Sequence, residues 1–273
     1  MNDLGSPPLS PAESAAKASR RRGFHAVPLR LLIPNIVTLL ALALGLTAIR
    51  LAMEGSIEWA VSAVAAAAVL DGLDGRIARA LKGTSRFGAE LDSLADFVDF
   101  GVAPALILYV ADLHVVKSFG WVAALLFAMA CALRLARFNV MIDEDQPAWR
   151  KTFFVGMPAP AGAIVGLLPI YVHSSFDLGQ PSPGLAFAES LYVLAVALLM
   201  ASRVPHFSGK SIGRVPREYV AVVLVGVAAA LLIVFNFPMQ ALVAVTVAYL
   251  GSIPFAVRRF RTLDRAMQAD DAA

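Results

Sequence analysis

The sequence predicts an all-α fold, a polytopic bundle of membrane-spanning helices. Three observations carry that expectation. Of the 273 residues, 59% are hydrophobic and only 16% charged. Apolar runs of about 20 residues, the length a helix needs to cross a bilayer, recur along the chain. Basic residues collect in the short polar segments between those runs. A helix satisfies its own backbone polar groups, so it is the form such runs take in lipid. The single Cys131 lies inside an apolar run, which excludes a disulfide framework and a thiolate metal site and reads as a small buried hydrophobe. The net charge of +3 is small, and its placement beside apolar runs argues for anionic lipid headgroups and against nucleic acid.

Taken in order, residues 1–19 are rich in Ser, Pro and Ala and read as a disordered tail. The basic residues Arg20, Arg21 and Arg22 follow that tail, which argues against a secretory signal. The stretch 19–32 mixes those arginines, Phe24, His25 and Arg30 with Leu29, Leu31 and Leu32, a pattern that suits either an interfacial helix or a plain basic flank. Residues 20–256 form the expected membrane domain, with spans over 34–53, 57–80, 90–111, 119–138, 157–173, 185–201, 218–235 and 239–256, before an Arg-rich tail over 257–273. Gly101 and Pro104 punctuate the third span and predict a kink or a close helix contact there. Little more than Asn236 to Pro238 separates the last two spans, which suits a tight or re-entrant hairpin.

Eight spans put both termini on one side. With that side in the cytoplasm, every one of the 23 basic residues except Arg50 and Lys117 falls on it. Trp59 and Trp121 read as interfacial anchors, and His114, His173 and His206, near predicted span ends, as interfacial residues rather than ligands. The segment 205–217, PHFSGKSIGRVPR, has a Gly-Lys-Ser step without the preceding glycine and strand of a phosphate loop. It reads as a basic loop in which Lys210 could meet lipid phosphate.

The costliest stretch is 71–96, DGLDGRIARALKGTSRFGAELDSLAD, which sets four carboxylates where the flanking sequence places a membrane. If the second span continues through residue 80 as a helix, Asp71, Asp74, Gly75 and Ala78 share one face. After a short loop with Lys82 and Arg86, Gly88, Asp92 and Asp96 repeat the four-residue step on the next helix. Helices joined by so short a loop pack antiparallel, so the two acidic faces can meet. Four carboxylates in one pocket repel, and divalent metal is the natural compensation. Oxygen ligands without His or Cys favour Mg²⁺, Mn²⁺ or Ca²⁺ over zinc. Gly75, Ala78 and Gly88 leave the face open to a flat or phosphorylated group, and Arg79 adds a cation for phosphate. The other reading of these acids, helix capping or pairing with Arg76, Arg79 and Arg86, explains one or two of them and not four. In the first span, Asn35 and Thr38 are either an ordinary helix start, with Thr38 bonding its own backbone, or polar walls at the level of the acids.

At these residues the chain resembles the CDP-alcohol phosphatidyltransferase family. The family pattern is Asp, two residues, Asp-Gly, two residues, Ala-Arg, eight residues, Gly, three residues, Asp, three residues, Asp, and here Asp71, Asp74, Gly75, Ala78, Arg79, Gly88, Asp92 and Asp96 fill every position. The resemblance extends over residues 30–215 and implies a six-helix core, with the last two spans an addition. It implies transfer of a phosphatidyl group from CDP-diacylglycerol to a small alcohol with release of CMP, assisted by two Mn²⁺ or Mg²⁺ ions. Asp71, Asp74 and Asp92 would be metal ligands, and Asp96 a further ligand and the general base, with Asp92 beside it in the catalytic pair. Gly75, Ala78, Gly88, Asn35 and Thr38 would line the CDP-lipid pocket, and Arg79 would hold the motif or the phosphates. A homodimer in a bacterial inner membrane, with the active site cytoplasmic, is also implied.

Within the family, SLADFVDFGVAPA, CALRLARFN and FVGMPAPAGA are similar to segments of bacterial, membrane-integral members whose acceptor is L-serine, giving phosphatidylserine. Arg134, Arg137 and Asn139 are then candidates for the serine carboxylate or the lipid phosphate, against a plain snorkelling role at a helix end. Asp99 stands where the resemblance leads one to expect a small polar residue, and a fifth acid could favour an amine or polyol acceptor. Glycerol phosphate or inositol phosphate are the acceptors of the rival readings on this scaffold. A cation transporter is the rival of another class, and the absence of an internal repeat of the acidic segment weighs against it.

Overall fold

The computed structural model describes residues 29–81, 85–142, 153–207 and 219–270. The expected N-terminal tail and most of the 19–32 segment lie outside the described residues, as does Lys210. What is described is almost wholly helical. Helix α1 (Leu29–Met53) turns through Gly55, whose φ of +81° is left-handed, into α2 (Ile57–Ala80). The third span is built from α3 (Arg86–Phe97), a π turn at Val98–Val102 and α4 (Ala103–Ala111). After a 3-10 turn at Leu113–Val116 come α5 (Lys117–Ile142), strand β1 (Phe153–Val155), α6 (Ala159–Gly166) and α7 (Leu168–Phe176). Next are α8 (Pro183–Ala201), strand β2 (Pro205–Phe207), α9 (Val220–Asn236) and α10 (Pro238–Asp270).

Among the described residues, six helical stretches are long and apolar enough to cross a membrane. Helix α2 is also long enough, but its last ten residues carry Asp71, Asp74, Arg76 and Arg79; α9, at 17 residues, is shorter than the rest. Both stand where the second and seventh spans are expected. The Arg-rich tail expected from 257 onward is helical as far as Asp270, where α10, which runs through Pro254, ends. One departure is the antiparallel ribbon of β1 and β2, which pairs Phe154 with His206 and joins the approach to α6 with the exit from α8.

The core lies where α1 packs on α2, α5 on α8, and α4 and the π turn on both pairs. Phe100, Ile107, Leu108, Phe127, Leu167 and Met200 fill it. Helix α9 rests mainly on α10 and turns nearly all its side chains outward, as a lipid-facing helix does. The expected disturbance at Gly101 and Pro104 is present. Pro104 has no N–H to continue the helical ladder, and the wider π turn lies immediately before it. A Cβ on Gly101 would stand 3.1 Å from the Cys131 Cβ, so the glycine lets the third span touch α5.

Gly120 makes the tightest backbone approach of this kind: a Cβ there would run into the Leu113 carbonyl. Backbone cannot rotate away as a side chain can, so Gly120→Ala should destabilise the bundle by about 1–3 kcal/mol. Gly184, at the start of α8, has nothing within 4 Å of its would-be Cβ. Thermal unfolding in detergent should show a lowered midpoint for Gly120→Ala and none for Gly184→Ala.

Candidate active site

Two helix ends and the start of a third make the site. Ser85 begins α3: its backbone is extended and its Oγ accepts from the Gly88 N–H at 2.9 Å, which caps the helix. This cap fixes the first turn of α3, which packs on α1, and with it the face that carries Asp92 and Asp96. One carboxylate oxygen from each of Asp71, Asp74 and Asp92 lies within 4.8 Å of the other two. Asp96 lies against Asp71, near enough for the two carboxyl groups to act on one another. The four acids of the motif therefore converge, two from α2 and two from α3.

Their surroundings differ by side. Asp74 and Asp92 border a cleft of about 140 Å³ whose other walls are Pro34, Asn35, Thr38, Gly75, Ala78, Ser85, Gly88 and Ala89. Asp71 and Asp96 instead interact with Arg134, which rises from α5 and is only 8% exposed. The acids thus stand between an open cleft and a buried guanidinium. The Arg134 Nε is buried without a hydrogen-bond partner among the described residues, and its Cζ lies 5.5 Å from the Phe138 ring centroid.

Thr38 does both things its position allows. Its hydroxyl is 2.7 Å from Asp74 Oδ2 and 3.1 Å from the Pro34 carbonyl, so α1 is bonded directly to the acid cluster. Gly88 admits Asn35: a Cβ there would stand 2.9 Å from Asn35 Oδ1 and 3.1 Å from Ser85 Oγ. Every residue expected to line the nucleotide pocket is in the cleft wall except Arg79, which folds back toward Gly75, its Nη1 3.6 Å from the Cβ position there. Pro34, Ser85 and Ala89 complete the wall without having been singled out in sequence. Ser85 had a signal, a serine three residues before a glycine at a helix start.

The three polar residues of α5 separate. Arg134 faces the acids. Arg137 donates from Nη1 to the Ala201 carbonyl at 2.7 Å and so satisfies the C-terminus of α8. Asn139 donates from Nδ2 to Ser93 Oγ at 2.9 Å, tying α5 to α3. Asp99, on the π turn, is buried with Oδ1 unpartnered, held in the space left by Gly45 of α1, where a Cβ would strike its carboxylate. His206, expected at the interface, is buried in β2, with its ring stacked 5.9 Å from that of Tyr249 of α10. Burial pushes its imidazole below the ordinary value, more than the Val204 carbonyl raises it.

The acid pattern, the cleft and the helical order can be set beside known proteins. Residues 31–201 match the sequence profile of the family described as CDP-alcohol phosphatidyltransferase. The chain belongs to this family. It is 42% identical over 256 residues to a CDP-diacylglycerol–serine O-phosphatidyltransferase of Mycobacterium leprae, covering 93% of this chain and 83% of the relative. The protein of that description from Mycobacterium tuberculosis is 43% identical over 245 residues, covering 89% of this chain and 83% of the relative. One from Helicobacter pylori is 35% identical over 176 residues, covering 64% of this chain and 73% of the relative. The family match ends with α8, so α9 and α10 lie beyond it. This is an integral membrane protein of a family that uses divalent metals, and its clustered carboxylates suit a hard cation.

The Thr38 contact yields a prediction. A hydroxyl bonded to a ligating carboxylate orients it, and loss of such a partner weakens metal binding about 10- to 100-fold. Thr38→Val should therefore weaken Mn²⁺ binding by about tenfold or more, read from the paramagnetic resonance of free Mn²⁺ in a titration. Thr47→Val, whose hydroxyl bonds only the Ala43 carbonyl, should leave it unchanged.

Proposed function

We propose that the protein transfers the phosphatidyl group of CDP-diacylglycerol to L-serine, giving phosphatidylserine and CMP. The observation that carries this reading is the position of the acids between a cleft walled by small residues and the buried Arg134. Relatives that bear this activity in their description and match over most of their length support serine as the acceptor.

In this reading the cytidine end enters the cleft, where Gly75, Ala78 and Gly88 let it approach the helix backbones and Asn35 and Thr38 present polar groups. Asp71, Asp74, Asp92 and Asp96 would hold two ions, Mn²⁺ or Mg²⁺. Such ions supply neutralisation of the diphosphate and polarisation of the phosphorus under attack. Asp96, on the Arg134 side, accepts the proton of the serine hydroxyl as that oxygen attacks, because no free alkoxide exists at neutral pH. Arg134 receives the serine carboxylate: a planar guanidinium binds a carboxylate through paired donors, and here it has an unpartnered Nε. Arg79 steadies the motif. Arg137 and Asn139 hold α8 and α3 in place around Arg134. The lipid tails remain among the apolar helix faces, so only the headgroup reaches the acids.

The distribution of basic residues supports a cytoplasmic face for the site and both termini, in a bacterial inner membrane. The family resemblance supports a homodimer.

An acceptor screen tests the reading. Purified protein with CDP-diacylglycerol and Mn²⁺ or Mg²⁺ should release CMP when given L-serine; release driven by glycerol phosphate or inositol phosphate without serine would overturn the acceptor. Asp96→Asn should lower turnover by about 10²- to 10⁴-fold, the usual contribution of a general base. Arg134→Gln should raise the KM for serine at least tenfold while leaving the KM for the CDP-lipid near its parent value, since the cleft does not include Arg134.

A further inference from the structure

A second group of ligating side chains stands at the other end of the bundle. Asp112 ends the third span sixteen residues beyond Asp96, about 24 Å along a helix. It meets His173 of α7 and Glu189 of α8. One donor atom from each lies within 4.8 Å of the other two. Asp112 and Glu189 are 5% and 7% exposed, so this is not a solvated acidic surface.

The hydrogen bonding is incomplete in a specific way. His173 Nε2 is 3.0 Å from Glu189 Oε1, close enough for the ring N–H to donate there. Nδ1 lies 3.4 Å from Asp112 Oδ1 without a hydrogen bond. Three buried ligand atoms have no partner among the described residues: His173 Nδ1, Asp112 Oδ2 and Glu189 Oε2. A buried polar atom without a partner costs about 1–3 kcal/mol, so three at one point call for an occupant. A protonated imidazole between two carboxylates would leave the group with an uncompensated negative charge and two orphan oxygens. A divalent cation with neutral imidazole leaves no net charge and takes the free lone pairs.

We propose that Asp112, His173 and Glu189 form a metal site, separate from the catalytic acids, for a borderline first-row divalent cation of the zinc type. One imidazole nitrogen with carboxylate oxygens and no thiolate is a donor set that zinc accepts, whereas Mg²⁺ and Ca²⁺ take oxygen alone. The site joins the end of the third span to α7 and α8, at the end of the bundle where Arg137 does not reach, and so ties three helices together.

The test uses the full chain in detergent with Asp92→Asn in place, so that the catalytic acids bind metal poorly. Equilibrated with Zn²⁺ and desalted, this protein should retain one equivalent by elemental analysis and unfold at a higher temperature than after chelation. Co²⁺ loading should give the visible bands of a low-coordinate nitrogen- and oxygen-ligated ion. Adding His173→Gln, which keeps a hydrogen-bonding side chain of similar reach, should lower retained zinc at least tenfold and abolish both the Co²⁺ bands and the zinc-dependent shift. Failure of the Asp92→Asn protein itself to retain zinc overturns the proposal without reliance on the second substitution. Equal retention in the two proteins does so as well.

Discussion

Negative charge held among apolar helices is the constraint on which this structure depends. An ionised carboxylate at the centre of a membrane helix costs about 2.5–3.5 kcal/mol on insertion scales, and here four gather within two adjoining helix ends. The surrounding chain is arranged to make that tolerable. Helix α1 lies across the acids and gives them the Thr38 hydroxyl. Ser85 caps α3 so that its acids face those of α2. Arg134, drawn in from α5, provides a fixed cation on one side, and the small residues on the other leave room for charged matter to arrive from water. The same arrangement explains why α2, long enough to span a membrane, carries Asp71, Asp74, Arg76 and Arg79 in its last ten residues.

Most of this was legible in sequence because it depends on local period. The four-residue step fixes which acids share a helix face, while the way the two faces meet depends on α1, on which both helices pack. The lengths and order of the helices follow from apolar runs in the same way. What sequence could not give depends on distant contacts. Arg134, Arg137 and Asn139 look alike as polar residues near one helix end, yet only tertiary packing decides that one faces acids, one caps α8 and one bonds Ser93. His173 and His206 sit near span ends, where an interfacial role is the ordinary expectation, and both are instead drawn inside by partners more than forty residues away in the chain. Glu189 carried a signal that went unused: it is the single acid in the apolar run from 185 to 201, and an ionisable residue in such a run seldom lacks a partner. The extension of α10 to Asp270 was hidden by charge, since a run of Arg and Asp reads as polar whether or not it is helical.

The two polar groups of the third span, one at each end, share a single rod of chain. Asp96 belongs to the α3 portion and Asp112 closes the α4 portion. Between them lies the π turn, and within it a close approach of this span to α5, at Gly101. The interior of the span is therefore anchored midway, and both ends project from that anchor toward partners on different helices.

The wide turn has a mechanical consequence. In a rod of constant pitch the compass bearing of one end dictates that of the other, so any adjustment of Asp96 would swing Asp112 with it. An inserted residue that widens one turn breaks this lockstep by offsetting the lower half in azimuth. The span behaves as two keys cut on one shaft, each free to be matched to its own lock.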